Sequence, residues 1–391
     1  MNISVSERVR VFQTNVFSEL FAYKKQRLEQ GLEVIDLSVG SPDLPPPVYV
    51  MEVLADAVKD PTQYGYALKG TDEFHEAVAH YYEKRFSVLL DPSKEILQLM
   101  GSQDGLVHLP MIFADPGDLI LVPDPGYTAY EAGVHLASAT LYPMPLKKEN
   151  QFLPCLREIP EDVAKKAKMM ILNFPGNPVP ALATKEFFEE VVQFAKKYEI
   201  IVVHDFAYSE LIFDEKKGIS FLEIEGAKEV GIEFNSLSKS FNLAGARIGY
   251  IVGNEKMIEE IAKVKSNLDY GTFLPIQKAA ATALKGGTEF LHQNRKIYER
   301  RRNILVEGLS SLGWHVEKPS ATMFIWAEIP KGWRSKEFAL ELIQAGVVVT
   351  PGNAFGVQGE GYVRIALVQP EEKLKRAIEL IDQSGILQRK R

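Results

Sequence analysis

Between residues 95 and 253 the chain alternates short apolar runs with amphipathic ones. Apolar runs at Ile96–Met100, Leu119–Val122, Thr140–Pro143, Met169–Leu172, Ile200–Val203, Gly231–Asn235 and Ile248–Val252 predict seven strands. Helical spacing falls between most of them, over 103–113, 127–137, 161–167 and 185–198. Several of the strands are apolar throughout, as expected of a mostly parallel sheet covered by helices on both faces. Such a sheet binds ligands beyond the carboxyl ends of its strands. The residues just after each strand are therefore the first candidates for chemistry.

Outside this core the pattern changes. In residues 1–30, Val16, Leu20 and Tyr23 fall on one helical face, with Lys24, Lys25 and Arg27 off it. A strand over Val34–Gly40 breaks at Ser41-Pro42-Asp43, and Pro45, Pro46 and Pro47 form a hinge. Helices are predicted over 48–59 and 72–86, and beyond Asn254 the chain turns strongly helical, with a long helix over 287–312. Strands at Trp314–Glu317, Met323–Ala327, Val347–Thr350 and Val363–Leu367, with helices at 335–345 and 370–384, close the chain. The expected division is a large α/β domain over 48–285 and a smaller α+β domain formed by 1–47 with 286–391.

Composition narrows the function. With 391 residues, 46% hydrophobic and 25% charged, the chain has the make-up of a soluble globular protein of one or two domains. A net charge of −7 argues against nucleic acid or an anionic membrane as partner. The single cysteine, Cys155, excludes an intrachain disulfide and fits a reducing compartment. No secretory signal and no run of 18 apolar residues is present, so a cytoplasmic protein is expected. No metal site is expected.

The strand ends carry the polar motifs. Gly101-Ser102-Gln103-Asp104-Gly105 opens a helix, either as a phosphate-binding turn or as a plain cap with Ser102 as N-cap. Tyr127, in Pro123-Asp124-Pro125-Gly126-Tyr127, either stacks on an aromatic ligand or packs in the core. Asn177 sits between prolines in Asn173-Phe174-Pro175-Gly176-Asn177-Pro178, as a rigid amide or a simple turn residue. Asp205, at the end of the most apolar strand, needs a partner such as a protonated ring nitrogen or a structural cation, and Tyr208 follows three residues later. Arg364 lies inside an apolar strand, where a buried guanidinium wants a carboxylate from a substrate or from the protein.

Lys239 is the centre of this set. It lies between Ser238 and Ser240, after Ser236, with Arg247 eight positions on. A lysine is a poor nucleophile at its ordinary pKa of about 10.4, and becomes useful when it forms an imine with a carbonyl cofactor. Hydroxyls and a guanidinium nearby suit the phosphate of such a cofactor.

Taken in order, Gly-Ser at a helix start, Tyr, Asn, Asp-x-x-Tyr, Ser-x-Ser-Lys, Arg and a late Arg resemble the class I/II aminotransferases. The resemblance runs from Ser38-Val39-Gly40-Ser41-Pro42-Asp43 to Arg364. Gly-Ser-Gln-Asp-Gly (101–105), Pro-Asp-Pro-Gly-Tyr (123–127) and Lys-Ser-Asn-Leu-Asp-Tyr-Gly (265–271) are most similar to the LL-diaminopimelate aminotransferase branch. It implies fold type I and pyridoxal 5'-phosphate held as an aldimine on Lys239, the catalytic residue. Asp205 would pair with the ring nitrogen, Asn177 and Tyr208 with the ring oxygen, and Tyr127 would stack on the ring. Ser102, Gln103, Ser236, Ser238 and Arg247 would surround the phosphate, joined by Tyr64 or Tyr66 of the other subunit of a homodimer with shared active sites. Arg364 would grip the substrate α-carboxylate, with Gly40 and Asn177 nearby.

The implied activity is transfer of an amino group between an L-amino acid and a 2-oxo acid, with LL-diaminopimelate, aspartate or a related amino acid as donor. β-Elimination or decarboxylation on the same scaffold is the alternative, followed by a regulator that binds the cofactor without turnover. Two positions depart from the family pattern: Val179-Pro180 follows Asn177-Pro178 where Thr-Gly is usual, and Ala246 precedes the phosphate arginine where tryptophan is common.

Overall fold

A computed structural model describes residues 3–10, 12 and 16–389. After the helix Val16–Glu29, a short strand β1 (Ile35–Asp36) leads into the prolines and the helices Val48–Ala57 and Asp72–Phe86. The large sheet follows: β2 (Ile96–Leu99), β3 (Leu119–Asp124), β4 (Thr140–Pro145), β5 (Ala167–Leu172), β6 (Ile201–Asp205), β7 (Gly231–Ser236) and β8 (Gly249–Gly253). Its order is β2-β8-β7-β6-β5-β3-β4, with only β8 antiparallel to its neighbours. The closing region holds β9 (Phe324–Glu328), β10 (Val347–Val348), β11 (Thr350–Pro351) and β12 (Tyr362–Ala366). There β11, β12 and β9 form an antiparallel sheet, while β1 pairs with β10.

All seven predicted strands of the large sheet are present, and β5, β6 and β7 are buried along nearly their whole length on both faces. That is why they read as continuous apolar runs rather than alternating ones. Helices such as Ser102–Phe113 and Lys185–Tyr198 cover the two faces. A separate core joins the two ends of the chain: Ile35 and Leu37 pack with Phe324, Ile325, Val347 and Ile365. Tyr208 and Leu211, just after β6, enter this second core and link it to the large sheet.

Several local expectations are corrected. Trp314–Glu317 alternates as predicted, with Trp314 and Val316 buried, yet forms no strand. Its indole N–H donates to the Glu328 carbonyl at 2.7 Å, so a side chain makes the contact that a ladder would have made. The strand foreseen over Val34–Gly40 shrinks to β1, because Asp36 accepts the N–H of Ser38 at 2.9 Å and turns the chain. The helix foreseen over 161–167 ends at Ala164, since Ala167 joins β5 and pairs with Leu119. In the first long helix Leu20 is buried but Tyr23 is exposed, and Lys24 shares the inner side by reaching Asp36 at 2.7 Å. The side chain of Val16 lies outside the described residues.

Candidate active site

The carboxyl ends of β5, β6 and β7 open onto a cavity of about 410 Å³ that also touches β12 and the turn after β1. Its lining includes Gly40, Ser102, Gln103, Tyr127, Asn177, Asp205, Tyr208, Ser236, Ser238, Lys239, Arg247 and Arg364. Every predicted site residue of the chain's own pocket is therefore gathered in one place. Tyr64 and Tyr66 are the exceptions. Both are exposed beside Phe273 and Tyr270, and the Tyr64 hydroxyl donates to the Val58 carbonyl at 2.9 Å.

Lys239 sits in the single turn of helix Leu237–Ser240, whose start is capped by the Ser236 hydroxyl accepting from the Ser238 N–H. Its ammonium donates to the Gly40 carbonyl at 2.6 Å. Burial, with the charges of Arg364 and Arg247 behind it, lowers its pKa to about 8, against a smaller opposing pull from Asp205. Near neutral pH a sizeable fraction of this amine is unprotonated, as a nucleophile requires. Capture of pyridoxal phosphate by the cofactor-free protein should accelerate as pH rises and level off above about 8. Stopped-flow absorbance checks this; a rise that continues towards the ordinary lysine value of about 10.4 contradicts it.

Asp205, 5% exposed, closes β6. Burial raises its pKa, countered first by the Tyr130 hydroxyl, which donates to Oδ2 at 2.7 Å, and then by the Ala207 N–H. A carboxylate so placed has donors beneath it and a cavity above it, suited to a cationic ring nitrogen. The backbone of the same residue anchors Asn173, whose amide donates to the Asp205 carbonyl at 2.7 Å.

Ser102 is not the N-cap of its helix. Gly101 holds that position at φ +81°, and a Cβ there would lie 2.5 Å from Nη2 of Arg247. Only glycine lets the guanidinium cross the helix start, where the first N–H groups are free for an anion. The Tyr127 hydroxyl donates to Oε1 of Gln103 at 2.8 Å, which holds its ring upright at the cavity wall.

Arg364 is 5% exposed and lies between the rings of Phe324 and Phe355, at 4.3 and 4.7 Å. Nη1 donates to Oδ1 of Asn177 at 2.7 Å, and Nη2 donates to the Ser38 carbonyl. Because a guanidinium only donates, this contact turns the Asn177 Nδ2 group away from it. Nε has no partner, and among the described residues no carboxylate lies within salt-bridge reach. Burial lowers the pKa of Arg364 to about 10, which leaves it charged at neutral pH. The altered turn after Asn177 is accommodated by packing: Val179 is buried in the main core, and Ala246 packs against the same core.

Pyridoxal phosphate fits these residues: a glycine cradle under a guanidinium for its phosphate, a buried carboxylate for its ring nitrogen and a low-pKa amine for its carbonyl. Comparison with known proteins agrees. The model of aminotransferase class I and II matches residues 33–381. The chain belongs to this family. LL-diaminopimelate aminotransferase of Moorella thermoacetica is 45% identical over 96% of both chains, and that of Halothermothrix orenii is 43% identical over 97% of this chain and 98% of the other. Among solved structures, substrate-bound BacF of Bacillus subtilis superposes with a TM-score of 0.94 at 38% identity, covering 98% of each chain. A probable N-succinyldiaminopimelate aminotransferase of Thermus thermophilus gives 0.91 at 39%, covering 94% of this chain and all of that one. This aminotransferase is thus a transaminase that uses pyridoxal phosphate, with the fold of the type I enzymes.

Four contributors escaped the sequence reading. Tyr130 holds Asp205, Phe324 and Phe355 flank Arg364, and the Ser38 carbonyl fixes its Nη2. Tyr130 was findable as the residue one helical turn beyond Tyr127; the other three depend on chain segments that meet only in the fold.

Proposed function

We propose that this aminotransferase acts on an L-amino acid whose α-carboxylate pairs with Arg364, with LL-diaminopimelate the first donor to test and aspartate a second. The observation that carries this is Arg364 itself, a buried cation with an unpartnered Nε and neutral acceptors only, facing the cavity that holds Lys239. The names of the relatives, at 43–45% identity over almost the whole chain, support diaminopimelate as the donor.

The residues divide the work by charge. Asp205 would keep the ring nitrogen protonated, and the Nδ2 of Asn177 and the Tyr208 hydroxyl would serve the ring oxygen. Tyr127 would cover the ring, while Ser102, Gln103, Ser236, Ser238 and Arg247 would hold the phosphate. The bound cofactor supplies an electron sink for the α-carbon. With the cofactor bound, Lys239 would be the group placed to hold and move the α-proton. The Gly40 carbonyl, 2.6 Å from Nζ, holds the free amine at the cavity.

A panel of donors against 2-oxoglutarate, with LL-diaminopimelate, aspartate, alanine, methionine and the aromatic amino acids, tests the substrate. LL-diaminopimelate is expected to give the highest kcat/KM; its absence among active donors rejects that assignment.

The same reading makes the enzyme a homodimer. Tyr64, Tyr66, Tyr270 and Phe273 form an exposed aromatic surface, and either tyrosine of the first pair would reach the partner's phosphate. Sedimentation should give twice the chain mass of 43.8 kDa, and a stable monomer contradicts it. The division into a large domain over 48–285 and a small one from 1–47 with 286–391 is supported by the separate core that joins the two chain ends. A cytoplasmic location fits the lone cysteine.

A further inference from the structure

On the face of β6 opposite the cavity lies a fully buried pair that the chemistry above does not use. His204 and Glu233 are each 0% exposed, with Nδ1 and Oε2 2.8 Å apart. Glu233 already accepts from three donors: the hydroxyls of Tyr82 and Ser220 at Oε1 and the Phe221 N–H at Oε2, each at 2.8 Å. Nδ1 of His204 meets the remaining position on Oε2. Nε2 lies 3.0 Å from the Phe174 carbonyl, which can only accept, so this nitrogen carries a proton and donates. The ring is thus held at both nitrogens, by Glu233 on one side and by the Phe174 carbonyl on the other.

The rings of Phe188, Phe206 and Phe221 pack around it, with centroids 5.1, 5.0 and 6.5 Å away. A polar pair in such a setting is a poor source of stability compared with apolar residues of similar volume. Its position suggests another use. Phe174 is the second residue of the turn from Asn173 to Asn177. Within that turn Oδ1 of Asn173 accepts the Asn177 N–H at 2.8 Å, and Asn177 in turn accepts from Arg364.

We propose that His204, held by Glu233, is a positioning residue: it fixes the Phe174 carbonyl, hence the Asn177 amide, hence the direction in which Arg364 meets the substrate carboxylate. The inference rests on the reading of Arg364 as the carboxylate site.

Three variants test it: Arg364→Gln, His204→Gln, and the double His204→Phe with Glu233→Gln, which removes the pair together and leaves no lone buried charge. The folded double variant should bind pyridoxal phosphate within about threefold of wild type, yet raise KM for the amino donor about tenfold with kcat lowered less than about threefold. His204→Gln, whose amide still has a donor for the Phe174 carbonyl, should recover most of that KM. A KM within twofold of wild type in the folded double variant overturns the inference while Arg364→Gln still shows a large rise. If Arg364→Gln leaves KM unmoved as well, the reading of Arg364 fails instead. Should the double variant not fold, the nitrogen-15 signals of the wild-type His204 ring decide: a protonated Nε2 supports the inference and an unprotonated Nε2 overturns it.

Discussion

Lys239→Ala is expected to lower kcat for transamination by more than about 10⁴-fold while leaving the fold intact. The size follows from two roles in one side chain. Among the described residues Lys239 is the only lysine lining the cavity, so its loss removes both the attachment point of the cofactor and the base for the α-proton. Alanine leaves the Gly40 carbonyl without its donor but creates no buried charge, so stability should change little. Absorbance assays with and without an added primary amine check this, and appreciable turnover without added amine sinks the assignment.

Arg364→Gln is the second large effect. A charge-assisted pair with a substrate carboxylate is worth about 3 kcal/mol, or roughly 10²-fold in affinity. The loss should appear as a raised KM for every amino donor, because all of them carry the α-carboxylate. Arg364→Lys should do little better: an ammonium cannot meet Asn177, the Ser38 carbonyl and a carboxylate at once, nor lie flat between Phe324 and Phe355. Unchanged KM values in both variants would move the carboxylate site elsewhere.

The features that sequence made legible are those with a local signature. The central runs became strands because burial on both faces removes the need for polar positions, whereas the edge strand β4 is only partly buried. Asp205 and Lys239 stood out because a carboxylate at the end of an apolar strand and a lysine among serines are costly or idle without a ligand. Contacts set by distant segments were not legible. Nothing near Arg364 signals that Phe324 and Phe355 flank it, or that the Ser38 carbonyl receives its Nη2. Trp314–Glu317 failed for a related reason: its alternation correctly marked which side chains are buried, but a strand also needs a neighbour to pair with.

Lys239 therefore remains the residue on which the account stands. Borohydride reduction of the enzyme loaded with pyridoxal phosphate, followed by peptide mass analysis, tests it most directly. The account predicts one phosphopyridoxyl group per chain, on the peptide that contains Lys239. A label on any other lysine, or loading that survives Lys239→Ala, would contradict it.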